Sequence, residues 1–225
     1  MKQFYKIPVF AINLPNNPKR KADIQSQFKE RDEFELKIFK GVKSKDGYIG
    51  FLKSIKNVIK LVDQTEHDFV IICSDDHMFT ENYKKENLIT CIIDAGAAGA
   101  KILLGGIDRY GEAIPLTNQL LWIDHFADST FYVIYKSHFK EILQLNLKEL
   151  PPNTIISGST SNKFLIFPFI SAENVSDRIN RGIQECSREC SNQFKLDSIS
   201  RLEKIFYLKK RDMKKSSHLT RNLHE

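Results

Sequence analysis

The sequence predicts an α/β domain on a mostly parallel sheet, with a short C-terminal extension. Two observations predict the class. Short β-branched runs alternate with helical patterns along the chain, the rhythm of a sheet with helices packed against it. One run, Phe69-Val70-Ile71-Ile72-Cys73, leads straight into Ser74-Asp75-Asp76-His77, where an open α/β sheet exposes its ligand crevice. At 225 residues, 41% hydrophobic and with 16 Phe, the chain can fill one medium core.

The elements follow in order. Ile7 to Leu14 reads as a strand with Pro8 near its beginning, and Pro15-Asn16-Asn17-Pro18 breaks it. A charged, helix-compatible stretch from Lys19 to Arg31 precedes a short strand, Phe34 to Phe39. Gly41 to Gly50 is turn-rich. Phe51, Ile55, Val58, Ile59 and Val62 then recur at helical spacing with lysines between them, an amphipathic helix. The strand Phe69–Cys73 comes next, and Glu81 to Ala98 reads as a helix. Lys101 to Leu104 is a strand stopped by Gly105-Gly106. Gln119–Ile123 and Phe131–Tyr135 read as a strand pair, and Ser137 starts a helix to about Leu147. Phe164–Phe167 is the last strand, and Asp197–Leu208 a final amphipathic helix. The expected division is residues 1–196 for the domain and 197–225 for the helix and tail.

Composition narrows the function classes. No apolar run approaches the ~18 residues of a membrane span, and the first residues lack a signal peptide's apolar stretch. Cys73 and Cys91 lie in apolar segments and read as buried thiols, whereas Cys186 and Cys190 fall one helical turn apart with no second pair. A reduced, cytoplasmic chain is expected. Net charge is +6, of which +5 falls between Arg201 and Glu225. A near-neutral body with one basic tail does not read as a nucleic-acid binder. No phosphate-loop or dinucleotide glycine signature occurs.

Adjacent carboxylates at a strand end are costly unless a cation or substrate offsets them. Asp75 and Asp76 therefore point to a metal–phosphate site. The competing reading makes one of them the cap of the next helix.

Four stretches carry a family resemblance: Ile12-Asn13-Leu14 with downstream Arg20, Gly50-Phe51-Leu52-Lys53-Ser54, Val70 to Asp76, and Ser129-Thr130-Phe131-Tyr132-Val133-Ile134. In order and spacing they resemble the glycosyltransferase family 25 type, lipopolysaccharide-biosynthesis transferases of GT-A fold. The resemblance implies a GT-A-like nucleotide-binding sheet and transfer of a sugar, UDP-linked for preference, to a glycan or lipid-linked glycan. It departs from the family pattern at Ser74, where an acid is usual, at Ile55 for a His, and at Asn153 for an Asp. A catalytically silent sugar-nucleotide or glycan-binding protein is the alternative, and a metal-dependent phosphoryl-transfer enzyme or nuclease a third reading.

By the resemblance, Asp76 holds Mn²⁺ or Mg²⁺, Asp75 reaches the ribose or shares the ion, and His77 is an added ligand or a partner of the carboxylate. Asn13, Arg20 and Ser54 fall among the donor-binding positions, with the Arg20 fork matched to a diphosphate. An inverting reaction needs a base. Asp108, Asp124, Asp128 and Glu173 are candidates, with Asp128 first because it adjoins Ser129-Thr130, and Asp124 next. Trp122 reads as a sugar-stacking ring or a core anchor. The tail is expected to meet an anionic membrane surface, with Ile205, Phe206 and Leu208 on lipid and Lys209, Lys210, Arg211, Lys214 and Lys215 near its headgroups.

Overall fold

The structure, a computed structural model, describes residues 6–147, 154–174 and 196–209. The chain opens with strand β1 (Ile7–Asn13), helix α1 (Pro18–Phe28), strand β2 (Phe34–Lys40) and helix α2 (Gly47–Val62). Strand β3 (Phe69–Ser74), a short β4 (His77–Phe79), helix α3 (Lys85–Ala97) and β5 (Ile102–Leu104) follow. Next come β6 (Arg109–Tyr110), β7 (Ala113–Pro115), β8 (Leu120–Ile123), β9 (Phe126–Ala127) and β10 (Phe131–Tyr135). Helix α4 (Phe139–Gln144), α5 (Ile155–Gly158), β11 (Lys163–Ile166) and β12 (Ser171–Glu173) complete the main body. Residues 196–209 form a last helix, α6.

Eight strands make one sheet in the order β2-β1-β3-β10-β5-β11-β8-β7. Strands β2, β1, β3, β5, β11 and β7 run one way, and β10 and β8 run against them. The sheet is mostly parallel in direction, as the alternating pattern predicts. Strand β3 shows why its sequence has no polar face: Val70 and Ile72 point to one side, Ile71 and Cys73 to the other, and both sides are buried. Helices α2, α4, α5 and α6 cover the first side; α1 and α3 cover the second. Cys73 and Cys91 are buried free thiols, whereas Cys186 and Cys190 lie outside the described residues.

Helix ends follow local chemistry. Asn17 caps α1 by accepting from the Arg20 N–H at 3.3 Å, with Pro18 at the first turn. Asp46 caps α2 by accepting from the Ile49 N–H at 3.2 Å. Neither Asp75 nor Asp76 caps the next helix. They sit in a turn between β3 and β4, and α3 begins only at Lys85.

Helix α6 turns part of its apolar face to the core rather than outward: Leu202 is fully buried and the Phe206 ring stacks on Phe167 at 5.2 Å between centroids, whereas Leu208 is 45% exposed. Ile199 and Ile205 pack against the same core. A Phe in such a place stabilises the fold by about 3–5 kcal/mol relative to Ala, more than a reversible surface contact offers. Lys209 donates to the Thr117 carbonyl at 3.0 Å; Lys210, Arg211, Lys214 and Lys215 lie outside the described residues. Among the described residues no helix is long and apolar enough to cross a membrane.

Candidate functional site

A cleft of about 720 Å³ opens where β1 and β3 end. One wall is built by Ile12, Leu14, Asn17 and Arg20 together with the segment Gly41–Ser54, and the opposite wall by Gly106–Asp108, Asp128–Thr130, Tyr132 and Ser171–Glu173. Ser74, Asp75 and Asp76 line it between them in the chain.

The carboxylates are held by a dense network. The Asn13 side-chain amide donates to Asp75 Oδ2 at 2.8 Å and to the Asn17 carbonyl at 3.2 Å. Arg20 Nη1 donates to Asp75 Oδ1 at 2.8 Å and stands 3.4 Å from Asp76 Oδ2. The Ser74 hydroxyl donates to Asp76 Oδ1. Burial pushes the Asp75 carboxyl above the usual range, against the pull of Arg20 and Asn13. Asn13 is 5% exposed and does not reach the cleft surface; it fixes Asp75 from behind.

The Gly50–Ser54 motif acquires a physical reason. A Cβ on Gly50 would stand 2.5 Å from the Val42 carbonyl oxygen, so only glycine lets α2 come this close. The buried Ser54 hydroxyl accepts from the Val42 N–H and donates to the Gly50 carbonyl, each at 2.8 Å. Together they pin the loop that forms one wall. Tyr48, 44% exposed, stands on that wall at the start of α2.

On the opposite wall, Asp128 adopts φ 55°, the left-handed region that Asp tolerates better than most residues. Its carbonyl accepts from the Asp108 N–H at 3.1 Å, which ties the two acidic loops together. A Cβ on Gly106 would meet the Ser171 carbonyl oxygen at 2.2 Å, so β12 lies directly against this turn. The Asn174 N–H donates to the Asp76 carbonyl at 2.7 Å, and Glu173 faces His77 in register. The small β4–β12 ribbon thus joins the aspartate turn to Glu173.

Of the residues singled out from sequence, Arg20, Ser54, Asp75, Asp76, Asp108, Asp128 and Glu173 line one cleft. The structure does not bring His77, Asp124 or Trp122 there. His77 is 1% exposed among Phe28, Phe79 and Phe131, and its Nδ1 lies 2.8 Å from Ser171 Oγ. Burial lowers its pKa to about 3, so the ring stays neutral. Asp124 Oδ1 accepts from the Glu112 and His125 N–H groups at 2.7 and 2.6 Å, closing a turn away from the cleft. Trp122 donates to the Ser161 carbonyl at 2.8 Å. Asn153 lies outside the described residues. Lys43, Tyr48, Thr130 and Ser171 join the lining without having been singled out for a role there. Ser171 sits in a three-residue strand too short to leave a sequence pattern.

No protein-family model and no curated protein matches the chain. Solved structures are similar to it, two of them as follows. One is a glycosyltransferase involved in the glycosylation of the major capsid of PBCV-1, at 11% identity and TM-score 0.42, covering 65% of this chain and 69% of that one. The other is an apo UDP-glucose pyrophosphorylase, at 11% identity and TM-score 0.47, covering 85% and 82% respectively. Likeness at this level leaves the functional reading to the site's own residues.

Proposed function

We propose that the protein is a cation-assisted glycosyltransferase, moving a sugar from a nucleotide-diphosphate donor, UDP-linked for preference, to a hydroxyl of a glycan or lipid-linked glycan. The charge of the cleft carries this reading. Five carboxylates (Asp75, Asp76, Asp108, Asp128, Glu173) face Arg20 and Lys43 in its lining, a formal charge of −3. Two like charges ~4 Å apart cost on the order of 4 kcal/mol at an effective dielectric of 20, more than one hydrogen bond returns. A diphosphate therefore enters such a cleft in company with a divalent cation. Arg20 supplies the planar fork that suits phosphate oxygens.

The donor set fits a cation of a particular kind. Both Asp75 oxygens are engaged, by Arg20 and Asn13. Asp76 is met by the Ser74 hydroxyl on Oδ1 and by Arg20 at 3.4 Å from Oδ2, and it lines the cleft beside Asp75. Among the described residues no group of three His, Cys, Asp or Glu is arranged around a metal ion. One carboxylate completed by substrate phosphates is the usual way Mg²⁺ is held, and Mn²⁺ accepts the same hard oxygens. Asp76 would hold the ion, which would neutralise charge growing on the leaving diphosphate.

The chain's own residues supply the rest. An acceptor hydroxyl oxygen bonds to the anomeric carbon as the bond from that carbon to the diphosphate oxygen breaks. In an inverting reaction the hydroxyl proton passes to a carboxylate. We assign that role to Asp128, which lines the cleft and is fixed through its backbone to Asp108. The direct test is a thermal-shift screen of UDP, GDP, CMP and their sugars with and without Mn²⁺. A uridine nucleotide is expected to raise the melting temperature, and more so with the ion. No shift with any nucleotide contradicts the proposal.

A further inference from the structure

We propose that helix α6 is a working part of the active site, with Arg201 and Ser198 as positioning residues that fix the segment 108–111, strand β6 and its two flanking residues, whose first residue, Asp108, lines the cleft. The inference rests on reading that cleft as the active site. Three contacts run from α6 to Asp108, Tyr110 and Gly111, within and on either side of β6.

The Ser198 hydroxyl donates to the Asp108 carbonyl at 3.2 Å. Arg201 Nη2 donates to the Gly111 carbonyl at 3.0 Å. The same guanidinium lies over the Tyr110 ring, 4.7 Å from its centroid, a cation–π placement. Helix α6 therefore grips the segment at its first residue, its ring and its last residue.

The grip reaches the cleft through the backbone. Asp108 lines the cleft. Its carbonyl is held by Ser198 and its N–H by the Asp128 carbonyl at 3.1 Å. Asp128 sits at φ 55°, a conformation its surroundings must maintain. Arg109, between the two anchors, stands 3.9 Å from Asp128 Oδ2. Strand β6 also pairs with β9, Arg109 opposite Ala127, so a loosened 108–111 segment is felt on both acidic loops.

The helix is itself anchored elsewhere, by Leu202 and Phe206 in the core and by Lys209 on the Thr117 carbonyl. Removing Ser198 or Arg201 side chains therefore loosens the segment without undocking the helix. This separates positioning from general stability.

The test combines three readings on the full-length chain with Arg201→Ala, Arg201→Lys and Ser198→Ala. Hydrogen exchange should rise locally at residues 108–111. UDP affinity in Mn²⁺, by calorimetry, should stay within about twofold. Release of UDP from UDP-sugars should fall about 10- to 100-fold in Arg201→Ala, since ~1 Å of misplacement can cost 10²-fold. Arg201→Lys should recover part of the loss, because it keeps a donor for Gly111 and loses the planar stack. Faster exchange with unchanged turnover overturns the proposal, as does unchanged exchange. A joint loss of UDP affinity and turnover overturns it too, by showing that α6 supports the whole fold rather than this wall. Wild type that neither binds UDP nor releases it from any UDP-sugar overturns the functional reading itself, and the active-site role of α6 with it.

Discussion

Arg20 donates to Asp75 at 2.8 Å across 55 residues of sequence, tying the first turn of α1 to the end of β3. Side chains on both sides of this pair are about one-tenth exposed. The arginine offsets the charge of Asp75, and in the proposed reaction its fork would also meet the donor's diphosphate.

Replacing Arg20 should therefore cost stability as well as binding. Arg20→Met removes the guanidinium paired with Asp75 and near Asp76, and breaking a largely buried pair costs about 3 kcal/mol. Urea denaturation should show a fall of that order, together with weaker UDP binding. Arg20→Lys should fall between, since a point charge cannot reproduce the fork. Wild-type stability in Arg20→Met would show that the pair is solvent-screened.

The two leading base candidates part company in the structure. Asp128 lines the cleft, whereas Asp124 closes a turn outside it. Asp128→Asn should lower turnover by about 10²-fold or more with UDP affinity retained. Asp124→Asn should leave turnover within about twofold. The reverse pattern in steady-state kinetics would move the base to Asp124.

Gly50→Ala and Ser54→Ala attack one wall from two directions. The first drives a Cβ to 2.5 Å from the Val42 carbonyl, and the second removes the partner of the Val42 N–H. Each should cost about 1–3 kcal/mol and weaken nucleotide binding through displacement of the 41–44 loop. Thermal melts and UDP titrations of both variants give the check. A stable variant with intact affinity would make the motif dispensable.

Acid should destabilise the protein through two buried histidines. Burial holds His77 neutral to about pH 3 and His138 to about pH 4. Unfolded imidazoles take up a proton near pH 6.5. Below that pH the unfolded chain binds more protons than the folded one, so stability falls as pH drops from about 6.5 towards 4. The loss is up to about 2 kcal/mol for each histidine at pH 5, at 1.36 kcal/mol per pH unit. His138→Gln should flatten the change in urea midpoint between pH 7 and 5. An equal change in both proteins would assign the acid sensitivity elsewhere.

Much of the frame was legible in the sequence because its signals are local. β1, β3 and β10 are unbroken apolar runs, and the helical spacing of Ile55, Val58, Ile59 and Val62 marks α2. Strands of two or three residues, such as β6, β9 and β12, leave no periodicity and were not expected. The same limit governs the site. Asp75 and Asp76 announce themselves at a strand end, but their pairing with Arg20 and Asn13 depends on β1 lying beside β3. His77 follows the aspartates in sequence, yet the turn into β4 sends it into an aromatic core. Phe206 fits a lipid-facing or a core-facing stripe equally well until Phe167 is seen beneath it.

The central claim is that Asp76 and a divalent cation together admit a nucleotide diphosphate to an acidic cleft. Calorimetric titration of UDP in Mn²⁺ and in excess EDTA tests it most directly, on wild type and Asp76→Ala. Wild type should bind at least tenfold more tightly with the ion, a difference of about 1.4 kcal/mol. Asp76→Ala should lose that difference while keeping its fold. Equal wild-type affinity in Mn²⁺ and in EDTA would contradict the claim.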